Sequence, residues 1–166
     1  GVQHHAMLYM GTLGKALGTQ GGFVVGPAVL IDALRNRART WIYATALAVP
    51  IVAAAIEALR VLEHEGARLR EQLTDRSRQL FEALHRLPAL AGARASHILP
   101  IVVGSTANAT AWSRRLWERG MWCPAIRPPT VPDGRARLRV SVTALHTASQ
   151  VDQLVAALSL SPLGRG

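Results

Sequence analysis

Lys15 is the only lysine in the chain; every other cationic side chain is an arginine. It lies within Gly11-Thr12-Leu13-Gly14-Lys15-Ala16-Leu17-Gly18-Thr19-Gln20-Gly21-Gly22. A sequence that uses arginine wherever a solvated charge suffices should keep lysine where arginine cannot substitute. Imine formation is such a case, because a primary amine can lose its proton and attack a carbonyl whereas a guanidinium stays charged. The glycines allow close approach of backbone to a ligand, and Thr12 and Thr19 offer hydroxyls that could hold an anion. The competing reading is a solvated lysine in a Gly-rich turn. A phosphate-cradling P-loop is excluded, since it needs glycine where Tyr9 stands and Ser or Thr where Ala16 stands.

Two arginines in the second half could also bind anions. Ala136-Arg137-Leu138-Arg139-Val140-Ser141-Val142-Thr143 alternates in the manner of a half-buried strand, which puts Arg137, Arg139 and Ser141 on one face. An arginine fixed on a strand presents a planar fork to a carboxylate better than a mobile one does. Arg127 projects from Ala125-Ile126-Arg127-Pro128-Pro129-Thr130-Val131-Pro132, whose prolines exclude helix. Its alternative is a solvated arginine on a rigid loop.

The elements that must position these residues follow from periodicity. Met7 to Met10 reads as the end of a buried strand delivering the lysine loop, and Phe23 to Val25 as a second short strand. Such a unit fits an α/β sheet whose ligand sits beyond the strand ends. Pro27 to Arg37 is a predicted helix, and so is Ile51 to Leu62, with Ile51, Ala55, Ile56, Leu59 and Leu62 on one face. Gly66 should interrupt or bend it, before a further helix from Ala67 to Leu87 that Pro88 ends. Ile98 to Val103 is the clearest strand, Thr106 to Arg119 a helix capped by Ser105 or Thr106 and ended by Gly120, and Met121 to Pro124 the start of a return strand. Trp112 and Trp117 read as packing residues, and His97 and His146 as structural. Thr147 and Gln150 form a capping box for a last helix packed through Val151, Leu154, Val155 and Leu158.

Composition narrows the function classes. The chain has 166 residues, 49% of them hydrophobic and 17% charged, enough to build a core. The net charge of +9 raises a basic nucleic-acid-binding module as the reading from another class. However, the arginines are scattered among acids on helical segments, and no zinc-finger spacing or base-stacking strand accompanies them. Cys123 is the single cysteine, which excludes an internal disulfide or a multi-thiolate metal site and leaves a packing role. No apolar run reaches the roughly 18 residues of a membrane span, and Gly1-Val2-Gln3-His4-His5 has no cationic region followed by an apolar one. The expectation is a cytoplasmic protein with no membrane partner.

The lysine segment resembles that of the α-oxoamine synthases, fold-type-I pyridoxal-phosphate (PLP) enzymes that condense an amino acid with an acyl thioester and lose carbon dioxide. Ile-Arg-Pro-Pro-Thr-Val-Pro over 126–132 is similar to the 8-amino-7-oxononanoate synthase branch, which joins L-alanine to pimeloyl-CoA or a pimeloyl-carrier protein in biotin biosynthesis. The resemblance implies that Lys15 is the imine lysine and base, and that Thr12 contacts the cofactor phosphate. It further implies that Thr45, in Ile42-Tyr43-Ala44-Thr45, contacts the phosphate of the neighbouring subunit of a homodimer with a shared site. Arg139 would receive the alanine carboxylate and Arg127 would serve the substrate or acyl-chain side. Relatives usually carry proline soon after this threonine, whereas Ala48 and Val49 precede Pro50 here. The implied fold is the end of a PLP-binding large domain, residues 1–62, then a small α+β domain with an antiparallel sheet, residues 63–166. The resemblance covers only the C-terminal part of the family's proteins. The groups that stack on the cofactor ring and pair with its nitrogen lie upstream in them, so this chain is expected to be a fragment and inactive alone. Alternatives within the family are glycine C-acetyltransferase and serine palmitoyltransferase types.

Overall fold

A computed structural model describes residues 7–85, 90 and 93–159. The chain is α/β and divides into two compact units, one up to Gly66 and one from Ala67 onward.

In the first unit, strands β1 (Tyr9–Thr12) and β2 (Gly22–Val25) pair antiparallel, with Tyr9 opposite Val25 and Thr12 opposite Gly22. The expected strand is thus shifted to Tyr9–Thr12, and it is exposed where burial was expected, Met10 to 85%. Among the described residues its sheet has two strands; Phe23, Val24 and Val25 on the partner strand are open to solvent as well. Helix α1 (Ala28–Arg37) begins directly after Pro27, whose carbonyl accepts from the Leu30 and Ile31 amides. A single turn, α2 (Arg39–Ile42), follows.

Helix α3 (Val49–Leu84) is continuous over 36 residues, so of the two expectations for Gly66, interruption or bend, interruption does not occur. One glycine costs a helix about 1 kcal/mol against alanine. That is too little to end a helix whose hydrogen bonds continue on both sides. Pro50 occupies the first turn, where its missing N–H forfeits no helical bond. Of the apolar face expected in its first half, Ile51 and Ala55 are half-buried, but Ile56, Leu59 and Leu62 are exposed, because the small sheet of this unit does not cover them. The expected end at Leu87 and Pro88 lies outside the described residues.

The second unit is built on a three-stranded antiparallel sheet of β3 (Ile98–Gly104), β4 (Ala125–Ile126) and β5 (Ala136–Ser141), in the order β3-β5-β4. Alternation along β5 is as the sequence reads: Ala136, Leu138 and Val140 are buried while Arg139 and Ser141 face solvent. Leu80 and Leu84 of α3 join Leu99, Ile101, Leu138 and Val140 in the core. Leu116 of α4 (Thr106–Trp117) and Leu158 of α5 (Ala148–Ser159) complete it.

Caps fix the helix ends. The Ser105 hydroxyl accepts from the Asn108 amide at 3.1 Å. Gly120 takes φ 77° and allows the Met121 amide to reach back to the Leu116 carbonyl at 2.9 Å. Thr147 and Gln150 exchange both capping-box bonds, at 2.9 and 3.2 Å. The return strand, expected from Met121, is confined to Ala125–Ile126. Pro124 has no N–H for the ladder and contributes only its carbonyl, which accepts from the Arg139 amide at 3.0 Å. Trp112 is buried as expected, but Trp117 is 61% exposed. It meets the still more open Trp122 edge to face, ring centroids 5.1 Å apart. Among the described residues no helix is long and apolar enough to cross a membrane.

Candidate functional site

The loop over 13–21 holds Lys15 between the paired ends of β1 and β2. Three backbone bonds shape it: Leu13 N–H to the Gly21 carbonyl at 2.9 Å, Thr19 N–H to the Leu13 carbonyl at 3.1 Å and Gly18 N–H to the Lys15 carbonyl at 3.0 Å. The last closes a tight turn that presents the lysine. Gly21 is required at the loop's exit, since it adopts φ 114° and a Cβ there would stand 2.8 Å from Leu47 Cδ1. The Thr19 hydroxyl donates to the Ile51 carbonyl at 3.1 Å and ties the loop to the start of α3, so it is a brace where the sequence suggested an anion contact.

Lys15 is exposed, and no carboxylate among the described residues pairs with it. Thr12 Oγ1 accepts from the Gly14 amide at 3.2 Å and has only a long 3.5 Å contact to the Gly21 carbonyl for its own hydrogen. Thr45 is exposed between α2 and α3. A primary amine on an exposed loop and a hydroxyl of the same loop with little use for its hydrogen are the chemistry an aldehyde bearing a phosphate requires, so Lys15 and Thr12 fit PLP.

Arg139 and Arg127 stand in the second unit. Arg139 lines a cavity of about 500 Å³ together with Trp122, Ser141, His146 and Gln150. Arg127 lines a different cavity, of about 420 Å³, with Trp117 and Trp122. Trp122 and Pro124 belong to both walls. Arg137 turns back, its Nε donating to the Arg135 carbonyl at 3.0 Å, as suits a structural arginine. His146 and Gln150 were not legible as cavity residues. Their visible roles are local: Gln150 closes the capping box, and His146 Nδ1 accepts from the Thr143 amide at 2.9 Å, which leaves Nε2 as the nitrogen that carries hydrogen in the neutral ring. Of these neighbours only Ser141 could be found from sequence, through its shared face with Arg139.

The remaining charge is spread as solvated helix faces. Arg35–Asp32, Arg60–Glu57, Arg78–Asp75 and Arg114–Glu118 are exposed pairs three or four residues apart. Such pairs contribute a few tenths of a kcal/mol.

Cys123 forms part of the Arg139 cavity wall yet is buried, and burial pushes its thiol from 9.0 up to about 11. The folded chain therefore keeps a proton that the unfolded chain releases. Stability should be level below pH 9 and fall as pH rises from about 9 to about 11. A disulfide reagent at pH 8 should label the native thiol at least about tenfold more slowly than the denatured one. Equal rates would mean that the thiol is not packed as described.

Residues 1–158 match the family model for aminotransferase class I and II. Curated relatives include the 8-amino-7-oxononanoate synthases of Dechloromonas aromatica, 46% identical over 92% of this chain and 39% of its own, and of Halorhodospira halophila, 50% identical over 90% and 38%. Among solved structures, serine palmitoyltransferase from Sphingomonas wittichii superposes with a TM-score of 0.82 at 31% identity, covering 90% of this chain and 38% of its own. A structure described as SPT with its PLP internal aldimine gives the same TM-score at 28% identity and the same coverage. The 8-amino-7-oxononanoate synthase of Francisella tularensis gives 0.78 at 28%, covering 92% and 44%. The chain thus spans about two fifths of the length of the relatives it matches. It belongs to the aminotransferase class I and II family.

Proposed function

We propose that the chain is the lysine-bearing and carboxylate-binding part of a PLP-dependent enzyme that condenses L-alanine with a pimeloyl thioester. The products would be 8-amino-7-oxononanoate, carbon dioxide and the free thiol of CoA or a carrier protein. The observation that carries this reading is the identity of 46% and 50% to curated 8-amino-7-oxononanoate synthases over nine tenths of this chain.

When bound, PLP supplies an electron-withdrawing ring that lets bonds at an amino acid's α-carbon break. Lys15 Nζ would be the amine that holds its aldehyde carbon, and the same Nζ, when free, would be the base for the α-proton of alanine. Thr12, whose hydroxyl hydrogen has only the long contact to Gly21, would donate it to the phosphate. Thr45 does the same from a second subunit, so the enzyme acts as a homodimer. Arg139 holds the alanine carboxylate, and Arg127 serves the acyl donor.

Borohydride trapping tests the reading. After incubation with PLP, mass spectrometry should find a pyridoxyl adduct on Lys15, and adding L-alanine should reduce its yield. Absence of the adduct would overturn the assignment. The structural likeness to serine palmitoyltransferase keeps that type as the second reading. Faster release of CoA from palmitoyl-CoA with L-serine than from pimeloyl-CoA with L-alanine would favour it.

A further inference from the structure

We propose that His146 is a second donor to the amino-acid carboxylate beside Arg139, through Nε2–H, the free edge of a ring locked by the turn that leads into α5. The proposal deepens the condensation reading above and rests on it for the identity of the ligand.

The turn over 143–146 fixes the ring. The His146 amide donates to the Thr143 carbonyl at 3.2 Å, and the Thr143 amide donates back to His146 Nδ1 at 2.9 Å. The Thr143 hydroxyl stands 3.3 Å from the same nitrogen. Because Nδ1 accepts, the hydrogen of the neutral ring is on Nε2. Nε2 has no partner among the described residues. It is not sealed away either, since no buried side-chain nitrogen or oxygen among them lacks a partner. A half-buried ring with one edge locked therefore keeps one open donor.

The cavity gives that donor a task. His146 lines it with Arg139, Ser141 and Gln150, and the lining contains no carboxylate. Gln150 is locked in the same sense: its Oε1 accepts from the Thr147 amide at 2.9 Å, which leaves its amide hydrogens unengaged. Two neutral side chains thus have their acceptors engaged by backbone and present donors beside a guanidinium. A carboxylate offers about four lone-pair sites, more than one arginine fork fills. An ionised acceptor also gains about twice as much from each donor as a neutral one.

Carboxamide variants separate the two edges of the ring. Asparagine can place its oxygen where Nδ1 stands but has no atom near Nε2, whereas glutamine can place its amide nitrogen near Nε2 and leaves Nδ1 unreplaced. The chain is titrated with L-alanine and with L-alaninamide while the ring-nitrogen NMR signals of His146 and the Nε–H signal of Arg139 are followed. L-Alanine should move His146 Nε2, and L-alaninamide should not. Read at Arg139, His146→Asn should weaken L-alanine binding about three- to tenfold and His146→Gln should keep it within about twofold. Gln150→Glu keeps the acceptor of the capping box but turns a negative charge to the site, so it should weaken binding at least about tenfold with no fall in melting midpoint. The reverse order, binding kept in His146→Asn and lost in His146→Gln, would mark a structural ring and overturn the proposal. So would L-alanine that leaves Nε2 unmoved in the unsubstituted chain, a result that needs no variant to fold. Trapping at Lys15 with Nε2 unmoved would remove this inference alone. L-Alanine held through Arg139 and His146 without trapping would remove the condensation reading and leave His146 as a carboxylate donor.

Discussion

Lys15→Ala should abolish the trapped pyridoxyl adduct and, in an enzyme extended to the length of its relatives, lower turnover in the proposed condensation by at least about a thousandfold, because one substitution removes both the covalent link and the base. The expectation is unusually clean in this chain. No other lysine exists, so the only remaining primary amine is the α-amino group, and an adduct that persists would have to be found there. Folding should not confuse the result. Lys15 is exposed and has no carboxylate partner among the described residues, so the melting midpoint should stay where it is. Lys15→Arg separates charge from chemistry: the guanidinium can still attract a phosphate but cannot form the link. The arginine variant should therefore bind PLP weakly and reversibly and give no adduct. Full trapping in either variant would show that Lys15 is not the reactive amine.

What made Lys15 conspicuous was composition, a property of the whole chain. Alternation over the eight residues 136–143 put Arg137 and Arg139 on one face, and the family resemblance chose Arg139 between them. Both can be read without knowledge of the fold, as can the capping box at Thr147 and the Ser105 cap. The misread features depend on neighbours. Gly66 weakens a helix by about 1 kcal/mol, and the bonds around it decide whether the helix continues. Ile56, Leu59 and Met10 carry the hydrophobicity of core residues, yet burial requires a covering element, and periodicity does not say whether one is there. Trp117 reads as a packing residue, but an indole is amphipathic and often half open; its partner is Trp122 across the turn at Gly120. The same limit applies to the sites. His146 and Gln150 come to the Arg139 cavity through the packing of α5 into the core, which no spacing in the sequence announces.

Leu138→Ala should cost the second unit about 3 kcal/mol, within the span of about 2 to 5 for buried leucines, and lower its melting midpoint by about 15 °C. Leu138 is fully buried on the central strand, opposite Ile101 on one side and Ala125 on the other, so neither neighbouring strand can close the gap without leaving its register. Leu138→Met, which keeps the volume, should cost less than about 1.5 kcal/mol. Its neighbour Arg139 makes the opposite case. Arg139→Gln acts on an exposed side chain and should leave stability within about 0.5 kcal/mol, while raising the KM for L-alanine about ten- to a hundredfold in the proposed reaction. The two effects are linked through one strand. Arg139 is flanked by the buried Leu138 and Val140, and its amide is bonded to Pro124, so the core sets where the guanidinium stands. Leu138→Ala should therefore weaken alanine binding as well as folding, whereas Arg139→Gln weakens binding alone. A Leu138→Ala protein that melts within a few degrees of the parent would mean that β5 is not the centre of this core. Arg139 would then have lost the support that makes it a carboxylate site.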